Sequence, residues 1–423
     1  MKLTYLTSLF GSLMLTVVGL ASCSGDNPII SETEDQNEEP VKPATVYEPM
    51  ILSVTQEKTC AEAEIFASKF LLSVINEEKD ATQNVMVSPL GVEMLLGMLS
   101  NGMDDIALTE LKEVLGSGKE ELNEYYSFIS KKLPVADNQV EFNMANSFWI
   151  ANGIKIEDQF SNILETRFEA EKFYRALPTE ETRKEINGWC SEKTKGWIPE
   201  FLEKTLDQQC LMFIVNAWYF NGKWQNPFDT KNTVEGMFSS SDGKNQSVEM
   251  MNAEFKAYYS KLQDGGQIVS LPYGNGTFQF NIYLPAAGQD LLEGLKKNIY
   301  SLSGGDYHAE CELCIPKFDL EYKNERIFDI LSEMGIRSIS EEGHLDGVFK
   351  DALVNFIQQS TALELTEDGA TAAAVTGGGL AMFDPDFEPS GPVKIIVDRP
   401  FAFSITENWN KITLMSGIIR NLE

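Results

Sequence analysis

The side chains best suited to catalysis or metal binding are scarce in this chain of 423 residues. Only two histidines are present, His308 and His344, which leaves little material for a Ser/His triad or a histidine-based metal centre. Acidic residues outnumber basic residues by 64 to 34, and the formal net charge of −30 disfavours binding to nucleic acid. The composition argues against a hydrolase without excluding one, and we expect neither a metal nor a cofactor.

Cys311 and Cys314 have the CxxC spacing of redox and zinc sites. The surrounding segment alternates like a β-strand, and three residues along a strand separate two Cα atoms by about 10 Å, beyond the ~7 Å that a disulfide spans. The two thiols would also point to opposite faces, and no second CxxC completes a zinc site, so we predict buried structural thiols. Without Cys23 the cysteines number five, so at least one is free or pairs with another chain. These five are Cys60, Cys190, Cys210, Cys311 and Cys314.

Cys23 follows a segment typical of a secretory signal. Lys2 supplies a positive charge, residues 9–20 are apolar, and Leu20-Ala21-Ser22 precedes the cysteine. This ending resembles a bacterial lipobox, which implies cleavage of residues 1–22 and lipidation of Cys23. The alternative is an ordinary signal peptide with an incidental cysteine. The apolar run is shorter than the ~20 residues that span a bilayer as a helix.

Residues 23–50 are acidic and interrupted by four prolines, a composition that favours a solvated, flexible tether. Residues 51–423 show no internal repeat or second linker, which predicts one domain. We therefore expect an extracytoplasmic domain that contacts the membrane only through its lipid anchor, at the outer membrane or cell surface.

Apolar periodicity predicts helices early in the domain and strands late, without βαβ alternation, which indicates the α+β class. Residues 56–77 form the first predicted helix, with an apolar stripe of Ile65, Phe66, Phe70 and Val74. Residues 104–115 form another, with Ile106 and Val114 in its stripe and Gly116 ending it. A third helix is predicted over residues 324–334.

The predicted strands are of two kinds. Residues 212–220 are almost continuously apolar, as in a strand buried on both faces, whereas residues 278–283 and 401–405 alternate. In residues 311–322 the apolar side chains change face at Pro316, which predicts one strand with a bulge at that proline.

Residues 367–392, EDGATAAAVTGGGLAMFDPDFEPSGP, lack an apolar face that could pack, and a loop this long in a compact domain is usually functional or disordered. In an extended conformation Ala370, Ala372, Ala374 and Thr376 would share one face, and all are small. Such a segment could enter a narrow slot in a sheet. The alternative is a disordered Ala/Gly linker.

Residues 55–423 resemble the serpins, a family of serine protease inhibitors. The resemblance depends on several motifs in the family's order and spacing. They are N-V-M-V-S-P-L at 84–90 with M-L-L-G-M-L at 94–99, N-x-W with T-x-G-x-I between 187 and 198, N-A-W-Y-F-N-G-K-W at 216–224 with P-F at 227–228, I-P-K-F at 315–318, and R-P-F-A-F at 399–403. The resemblance implies a serpin fold with three β-sheets, roughly nine helices and an exposed reactive-centre loop at about residues 367–392.

In that family a protease cleaves the loop, forms an acyl-enzyme and is trapped when the loop inserts into the central sheet. The segment similar to the family's hinge contains only small residues at its inward positions. Its members are Glu367, Asp368, Gly369, Ala370, Thr371, Ala372, Ala373 and Ala374. The resemblance thus implies an inhibitor that acts as a monomer, without catalytic residues of its own. The alternative is a serpin-fold surface protein that binds a partner without inhibiting it.

Counting forward from Gly369, as family geometry requires, places the reactive bond between Phe383 and Asp384, whereas counting back from the C-terminal strand places it near Glu388–Pro389. Phenylalanine favours chymotrypsin-like serine endopeptidases. Neighbouring bonds suit elastase-like or cysteine proteases, at Leu380, Ala381 and Met382. No lysine or arginine occurs from 369 to 393, so trypsin-like proteases should be ignored.

The resemblance also marks residues around which the family's central sheet opens. Glu367 and Lys317 match an ion pair at the top of that sheet, near Trp224. The other members of this region are Ser88, Asn216 and Gln359. Gln359 stands where the family usually has histidine, so a pH-sensitive contact would be lost there.

Overall fold

A computed structural model describes residues 45–354, 356–368 and 391–422 of the chain. All of them belong to one compact unit. The predicted signal peptide, Cys23, most of the tether and residues 369–390 of the predicted loop lie outside the described residues.

Eight α-helices are present in the described ranges, close to the nine expected. They are α1 Val54–Glu77, α2 Pro89–Ser100, α3 Asp105–Leu115, α4 Lys119–Lys132, α5 Asp158–Arg167, α6 Glu180–Lys193, α7 Leu291–Asn298 and α8 Ile327–Met334. Four short 3-10 helices accompany them, at Leu133–Val135, Thr230–Asn232, Ile299–Ser303 and Ser338–Ser340.

The helix termini follow from local capping residues. Ser53 and Gln56 form a capping box at the start of α1, Asp104 caps α3, and Gly116 ends α3 in the left-handed conformation, with φ of 74°. The apolar stripes are less complete than predicted, because Ile65 and Ile106 are exposed. The third predicted helix begins at Ile327, three residues late, because residues up to 324 belong to a strand.

Fourteen strands lie in the described ranges. They are β1 Val85–Val87, β2 Val140–Ala151, β3 Glu171–Arg175, β4 Met212–Gly222, β5 Val234–Ser239, β6 Asn245–Lys261, β7 Gln267–Pro272, β8 Phe278–Leu284, β9 Tyr307–Pro316, β10 Phe318–Asn324, β11 Gln359–Leu365, β12 Val393–Ile396, β13 Phe401–Glu407 and β14 Thr413–Ile419.

These strands form three sheets, as expected. The largest has nine strands in the order β1-β14-β13-β8-β7-β6-β9-β12, with β5 paired to β6. The second is β3-β2-β4 and the third is β10-β11. The pairs β2–β3 and β9–β12 are parallel and the others antiparallel. The α+β class is confirmed.

The single bulged strand predicted over residues 311–322 is wrong. The chain leaves the nine-stranded sheet at Pro316 and enters the two-stranded sheet at Phe318, with Lys317 between the two strands. The apolar side chains change face because the two halves pack in different sheets.

The prediction for residues 212–220 is correct for one face only. Phe213, Val215, Ala217 and Tyr219 are buried, and the alternate side chains are half-buried along a cleft. Conversely, β8 and β13 are buried on both faces. Their polar positions pair with each other, since Asn281 Nδ2 donates to Ser404 Oγ and to Thr406 Oγ1 at 3.0 Å each.

The five described cysteines are free thiols. Cys60, Cys190, Cys210 and Cys311 are buried, whereas Cys314 is half-buried on the opposite face of β9. The CxxC pair is therefore structural in the arrangement expected for a strand.

The last residues of the predicted tether lie against the domain. The Thr45 amide donates to Asn138 Oδ1 at 3.0 Å, and Asn275 Nδ2 donates to Thr45 Oγ1 at 3.1 Å. Further along, Asn410 Nδ2 donates to the Met50 carbonyl at 2.9 Å. Residues 45–50 are thus docked, and a freely moving tether would end before them.

Candidate functional site

A cleft of about 390 Å³ lies between strands β4 and β11. At one end the rings of Phe213 and Phe356 stack with centroids 5.4 Å apart. At the other end Trp224 Nε1 donates to the Thr366 carbonyl at 2.9 Å. Both strands therefore run in the same direction, from the phenylalanine end, here called the lower end, to the tryptophan end, here called the upper end.

Each of the two strands has one paired edge and one edge that faces the cleft. β4 pairs with β2, and β11 pairs with β10, but no ladder joins β4 to β11 among the described residues. Unpaired strand edges expose a row of backbone donors and acceptors that can pair with another strand. A segment entering the cleft against the direction of both strands could form antiparallel ladders on its two sides.

The upper end is closed by a nearly buried carboxylate, Glu367, which is 7 % exposed. Its Oε2 lies 3.2 Å from Lys317 Nζ, and its Oε1 accepts a hydrogen bond of 2.7 Å from Thr233 Oγ1. The Glu367 carbonyl also accepts from the Phe228 amide at 3.3 Å. The expected ion pair is confirmed and is part of a wider network, because Lys317 also lies 3.3 Å from Glu249 Oε2.

This network shifts the ionisation of both partners. Burial would raise the pKa of Glu367, but the Thr233 hydroxyl and the Lys317 ammonium more than offset that effect, so the pKa is lowered. The hydrogen bond to Glu367 raises the pKa of Lys317 above its ordinary value. Both side chains are therefore charged at neutral pH.

Trp224 anchors the other side of the upper end. Its ring stacks on Tyr273 at 4.3 Å with an interplanar angle of 8°, and Phe228 meets it edge-on at 6.4 Å. The indole is 5 % exposed. An aromatic cluster of this kind fixes the direction of the indole N–H, so the Thr366 carbonyl is held at a defined place.

Ser88 meets Gln359 at the start of β11, where the glutamine lines the cleft. The Ser88 amide donates to Gln359 Oε1 at 2.9 Å, and Gln359 Nε2 donates back to the Ser88 carbonyl at 2.8 Å. The Ser88 hydroxyl caps α2 by accepting from the Gly91 amide at 3.1 Å and donates to the Leu414 carbonyl at 2.9 Å. The glutamine therefore holds the start of β11 to the start of α2.

Asn216 lies across from this pair, on β4. Its Nδ2 donates to Asn146 Oδ1 at 2.8 Å, whereas its Oδ1 is buried without a hydrogen-bond partner in the described residues. A buried acceptor left unpaired costs about 1–3 kcal/mol. This oxygen is available to a donor that enters the cleft.

The structure brings together the described members of the predicted site. Lys317, Trp224, Glu367 and the exposed Asp368 lie at the upper end. The three residues predicted for the sheet-opening region lie together nearer the lower end, where Asn216 and Gln359 line the cleft and Ser88 is hydrogen-bonded to Gln359. The rest of the hinge, the reactive bond and its neighbours lie outside the described residues, at Gly369–Ala374, Leu380–Met382 and Phe383–Asp384.

Sequence reasoning missed Thr233, Glu249 and Asn146. Thr233 is 134 residues from the carboxylate it contacts, and Asn146 is 70 residues from Asn216. Neither residue belongs to one of the motifs. Contacts over such separations arise only when the sheets assemble, so a pattern in the local sequence carries no signal for them.

Within the described ranges no group of three or more His, Cys, Asp or Glu side chains is placed to hold a metal ion. The helices in the same ranges include none with the length and apolar character needed to cross a membrane.

The sequence is similar to those of known serpins. A family profile described as Serpin (serine protease inhibitor) matches residues 62–422. The chain is 32% identical to Serpin A3-1 of Bos taurus, over 81% of this chain and 84% of that protein. It is 27% identical to Serine protease inhibitor 42Dd of Drosophila melanogaster, over 77% of this chain and 88% of that protein.

Two solved structures share the fold at lower identity. AtSerpin1 of Arabidopsis, in its native stressed conformation, matches with a TM-score of 0.77 and 24% identity, over 88% of this chain and 100% of that chain. The thermophilic serpin tengpin, in its native state, matches with a TM-score of 0.73 and 22% identity, over 89% of this chain and 97% of that chain.

Proposed function

The chain belongs to the serpin family, and we propose that it is a suicide-substrate inhibitor of serine endopeptidases, with cysteine proteases as a second target class. The protease would cleave a bond within the loop that follows Glu367 and form an acyl-enzyme. The cleaved loop would then enter the cleft between β4 and β11 and carry the protease along. In this scheme the chain supplies no catalytic group.

The observation that supports this proposal most strongly is the direction of the two strands that border the cleft. The chain leaves β11 at the upper end, beyond Thr366 and Glu367. A segment that turns back there runs antiparallel to β11 and, because β4 has the same direction, antiparallel to β4 as well. Gly369, two residues after Glu367 in the hinge, has the conformational freedom that such a turn needs.

The length of the cleft supports a reactive bond near Phe383. Phe356 marks the lower end and lies about eleven residues before Glu367. A strand that starts at Ala370 and rises about 3.3 Å per residue reaches that level near residue 381. A bond between Phe383 and Asp384 would then bring the attached protease to the lower end, whereas the Glu388–Pro389 bond would leave several residues over.

Insertion would be driven by new hydrogen bonds on two edges. About ten ladder bonds would form, each contributing about 1 kcal/mol net, and roughly half of that gain would offset the loss of loop entropy. The remaining several kcal/mol suffice to distort a protease active site. Small inward side chains at Ala370, Ala372 and Ala374 would let the strand enter without steric conflict.

The loop sequence supports chymotrypsin-like or elastase-like targets. Phe383 would fill an apolar primary pocket, and Leu380, Ala381 and Met382 offer bonds for elastase-like and cysteine proteases. The absence of lysine and arginine from 369 to 393 excludes the trypsin-like class as targets.

We further propose that the inhibitor is a monomer anchored outside the cytoplasm by a lipid on Cys23, at the outer membrane or the cell surface. The lipobox-like ending before Cys23 supports the anchor. The acidic segment up to residue 44 would hold the domain away from the membrane before the docked residues 45–50 begin.

A gel-shift screen tests the proposal. Residues 24–423 are incubated with chymotrypsin-like, elastase-like, papain-like and trypsin-like proteases and then denatured. Covalent complexes are expected with members of the first three classes and none with the fourth. Cleavage of the loop without any denaturant-resistant complex would contradict inhibition and would leave the function of a surface binding protein.

A further inference from the structure

Three carboxyl groups lie in the core or at its edge, on three different elements. Glu93 belongs to α2 and is 3 % exposed, and Glu407 ends β13 and is 1 % exposed. Glu64 belongs to α1 and is half-buried. Lys411, the lysine next to Glu407, donates to Asn408 Oδ1 at 3.1 Å, and burial lowers its pKa. Among the described residues no cation lies beside Glu93 or Glu64, although one usually accompanies a buried acid, whereas the Lys411 charge partly offsets the effect of burial on Glu407.

Of the three acids, Glu93 has the fewest hydrogen-bond donors to stabilise a negative charge. Its Oε2 accepts one hydrogen bond of 2.9 Å from Tyr126 OH, and its Oε1 has no partner among the residues that the structure describes. The hydroxyl of the neighbouring Tyr125 is also buried and faces the Cys60 thiol rather than the carboxyl group. Because an isolated carboxylate in such a core is far more costly than a neutral acid, Glu93 must retain its proton.

The two other acids have backbone and hydroxyl donors. Glu64 accepts from the Thr413 amide at 2.7 Å and from the Thr413 hydroxyl at 2.6 Å. Glu407 accepts from the amides of Asn410 and Trp409 at 2.7 and 3.1 Å.

The ionisation of the group follows from this geometry. Burial, reinforced by the Glu64 charge, raises the pKa of Glu93 well above its ordinary value, and the Tyr126 hydroxyl offsets little of that. Burial raises the pKa of Glu64 to about 7 and raises that of Glu407. The remaining titratable groups that face them are Tyr47 ahead of α1, Cys60 on α1, and Tyr125 and Tyr126 on α4, and burial raises the pKa of each.

Glu93 is connected to the cleft through α2. The helix begins at Pro89, directly after Ser88, whose backbone holds the Gln359 side chain on β11. Glu93 lies little more than one turn further along, and α2 packs against both β4 and β14. A change in the packing of Glu93 would thus reach the floor of the cleft.

We propose that Glu93, with Glu64 as its neighbour, forms a pH-sensitive device that holds α2 in the core only while the acids retain their protons. The sign follows from linkage. An acid whose pKa is higher in the folded state than in the unfolded state stabilises the fold fully below its unfolded value, 4.5 here, and loses that contribution as the pH rises through the folded value. The domain should therefore be most durable in mildly acidic surroundings and should open more readily as the pH rises.

The test is the rate of unfolding of the full chain in a fixed urea concentration, followed by tryptophan fluorescence between pH 5 and pH 9. No protease is involved, so the outcome does not depend on the proposed inhibition. The wild-type rate should rise with pH, by up to about tenfold per pH unit for each proton that the core retains. Glu93→Gln, which replaces the neutral acid by a neutral amide of the same shape, should flatten that slope.

Two further variants make the result specific. Glu64→Gln should reduce the slope only below about pH 7, where Glu64 itself titrates. Glu120→Gln makes the same substitution on α4, at a side chain that is 83 % exposed, and should keep the wild-type slope. A wild-type rate independent of pH, or an unchanged slope in Glu93→Gln, would overturn the proposal.

Discussion

Glu367 and Glu249 both contact the Lys317 ammonium, yet their surroundings make their contributions to stability unequal. The Glu367 side chain is 9 % exposed and has a second donor in Thr233, whereas the Glu249 side chain is 65 % exposed. Exposed ion pairs contribute about 0–1 kcal/mol, and charged hydrogen bonds in buried sites contribute more. The upper end of the cleft therefore depends on Glu367.

Glu367→Gln should lower the free energy of unfolding by about 1–2 kcal/mol at pH 7, because the amide retains the shape but loses the charge that Lys317 and Thr233 stabilise. Glu249→Gln is the matched control and should cost less than about 0.5 kcal/mol. Chemical unfolding of the three proteins provides the measurement. An equal decrease in the free energy of unfolding in the two variants would contradict the larger contribution assigned to Glu367.

The same pair predicts a pH dependence. Because the pKa of Glu367 is lowered by folding, its contribution is present above the ordinary value of 4.5 and is lost as the pH falls through the folded value. The difference between wild type and Glu367→Gln should therefore be constant from about pH 5 to pH 8 and shrink below about pH 4. Repeating the unfolding series at these pH values checks the direction.

At the scale of single elements, local signals predicted three of the eight described helices, but not how the strands divide among the sheets. The caps Ser53, Asp104 and Gly116 are encoded within one turn of the boundary they set, so α1 and α3 were predictable. The division of residues 307–324 between two sheets was not, because the chain changes sheet at Lys317 and pairs with strands far away in sequence. The same reason explains why Thr233 and Asn146 were missed.

The motifs located the site more successfully than periodicity did. Lys317, Trp224 and Glu367 were expected together and are in contact or share a network. At Gln359 we expected only the loss of a pH-sensitive histidine contact. Instead, the glutamine carboxamide binds the Ser88 backbone at two points, and Asn216 Oδ1 has no partner in the described residues. The residue change was visible in the sequence, but its consequence depended on the position of α2.

The inserting strand is the element on which inhibition would depend. Ala370→Arg should convert the inhibitor into a substrate, because insertion would bury an unpaired arginine at a cost of several kcal/mol. Thr371→Arg, on the opposite face of the same strand, should retain most of the inhibition. The fraction of chymotrypsin recovered as a denaturant-resistant complex measures both. A wild-type yield from Ala370→Arg would rule out insertion of this segment.

At the scale of the whole molecule, the strong negative charge bears on the proposed lipid anchor at Cys23. A chain with a net charge of −30 is repelled by anionic surfaces, so attachment would need a covalent anchor. Cys23→Ala should abolish lipidation and release the domain from the membrane fraction while leaving its fold unchanged. Fractionation and metabolic labelling with a fatty acid provide the measurement, and continued membrane association with unchanged processing would refute the anchor.

Loop insertion is the central claim, and the thermal midpoint before and after nicking the loop between residues 380 and 390 tests it most directly. If the cleaved loop enters the cleft, about ten new ladder bonds should raise the midpoint by roughly 10 °C or more. The thermal midpoint of Ala370→Arg should rise much less when its loop is nicked. A nicked wild-type chain that melts at or below the midpoint of the intact chain would contradict the account.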